Sequence, residues 1–315
     1  MFFEELNIPS PDYYLGVGSG SSCYHVGEML KRAEKVFRRI SPSMVIVFGD
    51  TNSTLAGALT ATMLNIPVAH VEAGLRSFDK TMQEEINRVL VDHISDLLFC
   101  PTKSSVLNLR REGMESKIYL VGDVMFDLLK SKIKLIRKVS NDVMEKYALS
   151  KKEYVLFTVH RAENTDNPWR LRNILNAIIE ISKNIKVVFP MHPRTRKMIN
   201  RFGLNSFLVS PSIKVIKPVS YITFLALLKN AFKVFTDSGG VQKEAYILRI
   251  PCVTFRERTE WVETVMLGWN KLVGANKELI VSALWYEPEK HSYDERLFGD
   301  GRASVRIAQI IKSHI

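Results

Sequence analysis

Acidic residues follow two apolar runs in the first half of the chain. Met44-Val-Ile-Val-Phe48 is ended by Gly49-Asp50 and opens the segment Asp50-Thr-Asn-Ser-Thr54. Ile66-Pro-Val-Ala-His70 leads into His70-Val-Glu72-Ala-Gly-Leu-Arg76, so one His, one Glu and one Arg share a single exit. Further on, Gln83-Glu84-Glu85-Ile-Asn-Arg88 adds two carboxylates and a guanidinium. Carboxylates gathered in this way suit general acid–base chemistry, because burial or pairing with another acid can raise the pKa of one of them. Each also has a plainer reading. Asp50, with three hydroxyl residues beside it, could cap a helix, and the glutamates could form surface ion pairs. His-x-Glu is part of some zinc sites, but no Cys-x-x-Cys accompanies it, and no metal is expected.

The second half carries a different chemistry. Val159-His160-Arg161-Ala-Glu163-Asn164 follows an apolar run directly. An imidazole suits proton transfer or phosphate binding near neutral pH. Asp237-Ser238-Gly239-Gly240 follows another run and precedes a helix-prone stretch. Two glycines and a serine there let backbone N–H groups approach an anion at a helix N-terminus. Glu244, four residues on, could accept hydrogen bonds from ribose hydroxyls, or simply favour the positive end of the helix dipole. Gly16-Val-Gly-Ser-Gly20 imitates a dinucleotide loop, but its spacing is Gly-x-Gly-x-Gly with Ser21 next, and no NAD is expected.

The elements that must position these residues alternate. Strand-like runs at 44–48, 66–70, 97–100 and 118–121 are separated by helix-prone stretches, including one from Ser53 to Leu64. Pro101 stops the third run, and Thr102 reads as an N-cap. The second half repeats the rhythm with runs at 154–159, 186–189, 215–216, 233–236 and 251–255. Asp166-Asn-Pro168 opens a helix with proline at its first position, and a last helix covers about Arg302 to His314. Strand–helix alternation predicts parallel sheets, an α/β fold with two Rossmann-like, doubly wound domains. In such sheets ligands bind beyond the carboxyl ends of the strands, which is where the residues above stand.

A chain of 315 residues exceeds the usual single domain of about 100–200. The composition shift at Lys130–Ser150 marks the boundary. Lys and Arg number 44 against 33 Asp and Glu, a net charge of +11, which suits either an anionic partner or solubility alone. No aromatic-interleaved basic run or zinc-finger spacing supports nucleic acid. No apolar run reaches the ~18 residues of a membrane span, and no signal peptide stands at Met1. Cys23, Cys100 and Cys252 are far apart, consistent with inert thiols in a reducing cytoplasm.

Taken in order, Phe-Gly-Asp50-Thr-Asn-Ser-Thr, His70-Val-Glu72-Ala-Gly-Leu-Arg, Glu84-Glu-Ile-Asn-Arg, Val-His160-Arg-Ala-Glu-Asn and Thr-Asp237-Ser-Gly-Gly-Val-Gln-Lys-Glu244 resemble the motifs of the non-hydrolysing UDP-N-acetylglucosamine 2-epimerases. The resemblance spans nearly the whole chain. It implies the GT-B architecture, two Rossmann-like domains facing a cleft. The N-terminal domain would be 1–145 joined by the C-terminal helix 302–315, and the UDP-binding domain 146–301. It implies a reaction in which a base removes the C2 proton while UDP leaves C1. The product, 2-acetamidoglucal, is then re-protonated on its opposite face as UDP re-adds. The family's acid–base positions match Asp50, Glu72 and Glu84, and its cleft histidine matches His160. Its nucleotide turn matches Ser238, Gly239 and Gly240, with Glu244 on the ribose; Arg76, Arg88 and Arg161 are further candidate substrate contacts. The resemblance also implies a homodimer, with a UDP-sugar as substrate and no cofactor.

Three departures accompany it. The family's opening strand with its Gly-Thr-Arg-Pro-Glu loop, and the next strand with Gly-Gln-His, have no counterpart here. The expected sheet therefore has a gap between a strand at Tyr13–Gly16 and the run at Met44–Phe48, and an open apolar edge. A displaced gene start, a truncated gene or completion by another chain would each account for it. Trp261 stands in Arg256-Glu-Arg-Thr-Glu-Trp261-Val-Glu where many bacterial members carry Arg. That form, and the Gly16–Ser22 segment, resemble relatives acting on UDP-2,3-diacetamido-2,3-dideoxyglucuronic acid. The alternatives are an epimerase of that sugar, a hydrolysing epimerase, a GT-B glycosyltransferase, or an inactive remnant.

Overall fold

The structure is a computed structural model that describes residues 5–115, 117–289 and 292–315. The chain divides into two compact units. One comprises Pro9–Lys130 and Glu295–Ile315, and the other is built on Ser131–Asp294. The division falls at Lys130, inside a helix of residues 124–146, and the chain returns to the first unit at Glu295.

In the first unit, β1 (Val45–Phe48), β2 (Val68–Val71), β3 (Leu97–Cys100) and β4 (Ile118–Leu120) form a parallel sheet in the order β1-β2-β3-β4. β2 and β3 are buried at every position, the pattern of strands covered on both faces. β1 lies at the edge, with Ile46 42% and Phe48 59% exposed. No strand forms at Tyr13–Gly16. Arg32, on the Ser22–Ile40 helix, donates to the carbonyls of Leu15 and Gly16 at 2.6 and 2.8 Å, and Gly16 turns left-handed at φ +61°. The backbone acceptors a sheet would need are thus used, and the extended course is broken.

The helix starts follow local chemistry. Thr51 and Thr102 each form capping boxes, with Thr54 and Ser105 respectively, at the Asn52–Met63 and Lys103–Arg111 helices. The final helix, Ala303–Lys312, contributes Ile307 and Ile311 to the core of Ala69, Val71, Leu97 and Phe99. Its start is held by the Asp127 carboxylate, which accepts from the N–H groups of Ala303 and Ser304. Gly122, at φ +92°, passes so close to Phe298 and Gly299 that a Cβ would stand 3.0 Å from the Phe298 carbonyl, so only glycine fits there.

The second unit holds a six-stranded parallel sheet. Its strands are β5 (Tyr154–Phe157), β6 (Lys186–Pro190), β7 (Ile213–Ile216), β8 (Lys233–Thr236), β9 (Cys252–Thr254) and β10 (Asn270–Leu272), in the order β10-β9-β8-β5-β6-β7. The order reverses at β5, whose neighbours are β6 and β8, creating the switch point at which such sheets bind ligands. Phe157, Phe189, Phe235 and Phe255 pack in its core with Val155, Val187 and Val253. Lys233 is buried on β8. Its ammonium donates to the carbonyls of Ala283 and Leu284 at 2.8 and 2.7 Å and to that of Tyr286, and burial pushes its pKa down to about 8. Cys100 and Cys252 are buried, and desolvation pushes both thiols up to about 12, which fits the reading of them as inert.

Candidate active site

In the first unit the site begins where β1 and β2 end. Thr51 rather than Asp50 caps the Asn52–Met63 helix, so the Asp50 side chain is released from that duty. Its Oδ2 accepts from Arg88 Nη2 at 2.5 Å, and its carbonyl accepts from Asn87 Nδ2 at 2.9 Å. Glu72 follows β2 with φ +71°, a left-handed conformation that costs a non-glycine residue about 1–2 kcal/mol. Residues held so are concentrated at functional sites. Its carboxylate reaches over the preceding turn: a Cβ placed on Gly49 would be 3.4 Å from Glu72 Oε2. Asp50 and Glu72 are thereby brought to one place by two adjacent strands.

The Gln83–Ile94 helix supplies the third group. Glu84 lies half-buried in its first turn, the same stretch that carries Asn87 and Arg88. Its neighbour Glu85 is buried and accepts from Ser77 N, Ser77 Oγ and Phe78 N as well as from Arg88 Nη1. Adjacent glutamates thus differ in burial, Glu85 tying down a loop and Glu84 standing half-buried at the helix start. The Arg76 guanidinium is buried, bonded to Asp92 at 2.6 Å and to both Glu112 oxygens at 2.7 Å, contacts that brace the scaffold.

In the second unit β5 and β8 run side by side, and their ends meet. Thr158 N donates to the Phe235 carbonyl, which places Asp237 beside His160. Asp237 is completely buried and accepts from His160 N at 3.1 Å, Arg161 N at 3.0 Å and Asn164 Nδ2 at 3.1 Å. The His160 ring lies near the same carboxylate, Nδ1 to Oδ1 being 3.5 Å. Ser238 caps the Gly239–Ile247 helix, its Oγ accepting from Val241 N. Gly239 admits no side chain, because a Cβ there would fall 2.1 Å from Glu260 Oε1. The Glu260 carboxylate is itself held by Arg256 Nη1 at 2.9 Å.

His160 and Ser238 border a cavity of about 310 Å³, lined also by His192, Tyr221, Gly240 and Glu244 among others. Tyr221 OH donates to Glu244 Oε1 at 2.9 Å. Pro218, Val219 and Phe224 give the cavity an apolar wall. Burial pushes the pKa of Glu163 up, against the nearby Arg256, Arg161 and Arg170 charges. Sequence reasoning missed His192, Tyr221 and the anchoring role of Asp237. His192 stands two residues past β6, and inspection of every strand end would have found it. Tyr221 starts a helix after an unremarkable loop, and no local signal marks it.

A family model described as UDP-N-acetylglucosamine 2-epimerase matches residues 1–312. The chain belongs to the UDP-N-acetylglucosamine 2-epimerase family.

A "UDP-N-acetylglucosamine 2-epimerase homolog" of Methanococcus maripaludis is 52% identical over 315 residues, covering 99% of this chain and 87% of its own length. A UDP-2,3-diacetamido-2,3-dideoxy-D-glucuronate 2-epimerase of Pseudomonas aeruginosa is 47% identical, over 99% of this chain and 86% of its own length. The crystal structure of the Methanocaldococcus jannaschii UDP-GlcNAc 2-epimerase in complex with UDP-GlcNAc and UDP is similar at a TM-score of 0.93. Its identity is 47%, with 99% of this chain and 87% of that one covered. The epimerase-family chain described here has the GT-B fold, an α/β architecture with two parallel sheets.

Proposed function

We propose that this chain interconverts UDP-N-acetylglucosamine and UDP-N-acetylmannosamine by epimerisation at C2. The observation that carries the reading is the set of carboxylates at the ends of β1 and β2, with Glu72 held in a left-handed conformation over Gly49 beside an Arg88-bound Asp50. Family membership and the UDP-GlcNAc complex of the similar Methanocaldococcus enzyme support it.

The proposed steps balance without an external reagent. One carboxylate among Asp50, Glu72 and Glu84 takes the C2 proton. The C2–H electrons become the C1–C2 double bond, and the C1–O bond breaks with its electrons leaving on UDP. Re-addition of UDP at C1 and protonation of the opposite face of C2 gives the epimer. The C2 proton is weakly acidic, so preorganised charge must carry much of the stabilisation. UDP is itself the leaving group, so the scheme invokes no metal or organic cofactor.

In the second unit, the Ser238, Gly239 and Gly240 segment opens a helix, a place where backbone N–H groups and the helix dipole favour a diphosphate. Glu244, oriented by Tyr221, is suited to ribose hydroxyls, and the Pro218–Val219–Phe224 wall to a planar base. His160, anchored through its backbone to Asp237, is assigned to the sugar end of the diphosphate, with Arg161 as a further contact. A cytoplasmic homodimer is part of the proposal. Among the described residues no helix is long and apolar enough to cross a membrane.

A second reading is epimerisation of UDP-2,3-diacetamido-2,3-dideoxyglucuronic acid, favoured by the 47% identity to the Pseudomonas enzyme. Both readings are tested by incubating the chain with each UDP-sugar in deuterated water and following proton NMR. The manno epimer with deuterium at C2 and UDP still attached is the expected product. Free UDP with a free amino sugar would indicate hydrolysis instead. No exchange on either sugar overturns the proposal.

A further inference from the structure

Asp92 lies wholly buried on the Gln83–Ile94 helix, and three groups converge on its carboxylate. His70 Nδ1 is 2.7 Å from Oδ1, Arg76 Nη1 donates to Oδ2 at 2.6 Å, and Gly74 N–H is shared between both oxygens at 3.3 and 3.1 Å. The other ring nitrogen of His70, Nε2, is 2.8 Å from the Gly49 carbonyl oxygen. His70 is fully buried, so no water competes for either nitrogen.

Both partners of the His70 ring are acceptors only. A neutral imidazole carries one N–H and one lone pair, and would set that lone pair against an oxygen at one end. Both contacts become hydrogen bonds only when both nitrogens carry protons. The surrounding charges accommodate that state. His70 and Arg76 supply two positive charges against the buried Asp92 and the partly exposed Glu112, so the charges of the cluster balance.

The arrangement fixes two turns at once. Gly49, at φ +64°, follows β1 and immediately precedes Asp50, and Gly74, at φ +79°, lies two residues after Glu72. Asp92 holds the second turn directly and the first through the imidazole ring. We infer that His70, as an imidazolium, and Asp92 are positioning residues that hold the Asp50 and Glu72 carboxylates in mutual register. The inference rests on the acid–base assignment proposed above.

Protein labelled with 15N at histidine tests the first part in the wild type. Two-bond 15N–1H correlation is expected to show one histidine with both ring nitrogens protonated, and its loss in His70→Gln assigns it. A spectrum in which no histidine carries protons on both ring nitrogens overturns the inference without need of any variant that must fold. His70→Gln and Asp92→Asn test the second part. Displacement of the reacting carboxylates by about an ångström predicts a fall in kcat of about 100-fold. UDP affinity is expected to change less than about threefold, because the proposed nucleotide site is built in the other unit. Folded variants with wild-type kcat, or with kcat and UDP affinity falling together, overturn the positioning role. Absence of C2 exchange in the wild type would sink the acid–base reading instead, while the ring-nitrogen measurement would still report the protonation state.

Discussion

Arg88 divides its guanidinium between two acids: Nη2 donates to Asp50 Oδ2 at 2.5 Å and Nη1 to Glu85 Oε2 at 2.9 Å. Asp50 is partly open and Glu85 is buried, so one cation links a candidate catalytic group to a fixed point in the scaffold. Replacing Arg88 with Gln breaks the link. Glu85 keeps its donors from Ser77 and Phe78, so the expected loss of stability is at the lower end of a buried-pair disruption, about 3 kcal/mol. Activity should fall about 100-fold through misplacement of Asp50. Arg88→Lys should restore little of it, since a single ammonium cannot span both carboxylates in the same geometry. Urea denaturation and kcat on the same preparations check both parts.

Asp237→Asn should uncouple the ends of β5 and β8. An amide in place of the carboxylate removes the charge that His160 N, Arg161 N and Asn164 Nδ2 converge on. Charge-assisted hydrogen bonds of this kind contribute about 1.5–3 kcal/mol each to holding a loop in place. The expected outcome is a raised KM with weakened UDP binding, measured by calorimetry. Unaltered UDP affinity would remove Asp237 from the account of the site.

Gly239→Ala places a methyl where Glu260 Oε1 already stands, 2.1 Å from the ideal Cβ position. The Glu260 carboxylate is buried and held by Arg256, so it has little freedom to withdraw. Either the helix start shifts or the Arg256–Glu260 pair breaks. UDP binding should weaken by at least about tenfold, a cost of about 1.4 kcal/mol. Titration calorimetry with UDP measures it directly.

Acid should unlock the first unit through Asp92. Burial alone would push its pKa up, but the facing His70 and Arg76 charges and hydrogen bonds outweigh that and hold it below the ordinary value. A carboxylate depressed in the folded state stabilises the fold above its unfolded pKa. That contribution is lost as pH falls from about 4 through the lower folded value. Asp92→Asn should therefore be less stable than wild type by about 3–5 kcal/mol at neutral pH, with the gap narrowing below about pH 4. Chemical denaturation across pH reads it. A gap independent of pH would show that Asp92 acts by shape rather than by charge.

Much of the fold was legible because central strands of a parallel sheet are buried on both faces and read as largely apolar runs. β2, β3, β5 and β8 are buried at every position and mostly apolar, and the residues after them could be inspected as site candidates. The strand that the family resemblance implies at Tyr13–Gly16 does not form, and the distant Arg32 guanidinium takes the Leu15 and Gly16 carbonyls. Asp50 read as a cap or as a catalytic acid, and the capping box between Thr51 and Thr54 removed the first of those readings.

The residue types by themselves determined which chemistry the chain can perform. Carboxylates after β1 and β2, and a Ser-Gly-Gly turn at a helix start, are properties of local order. The tertiary structure alone decided how each charge is used. Arg76 and Arg88 are both arginines in neighbouring motifs, yet one is turned inward onto Asp92 and Glu112 while the other reaches Asp50. Nothing local distinguishes them. A side chain's role depends on which charges folding brings within hydrogen-bond reach, and Asp92 meets Arg76 across 16 residues and His70 across 22.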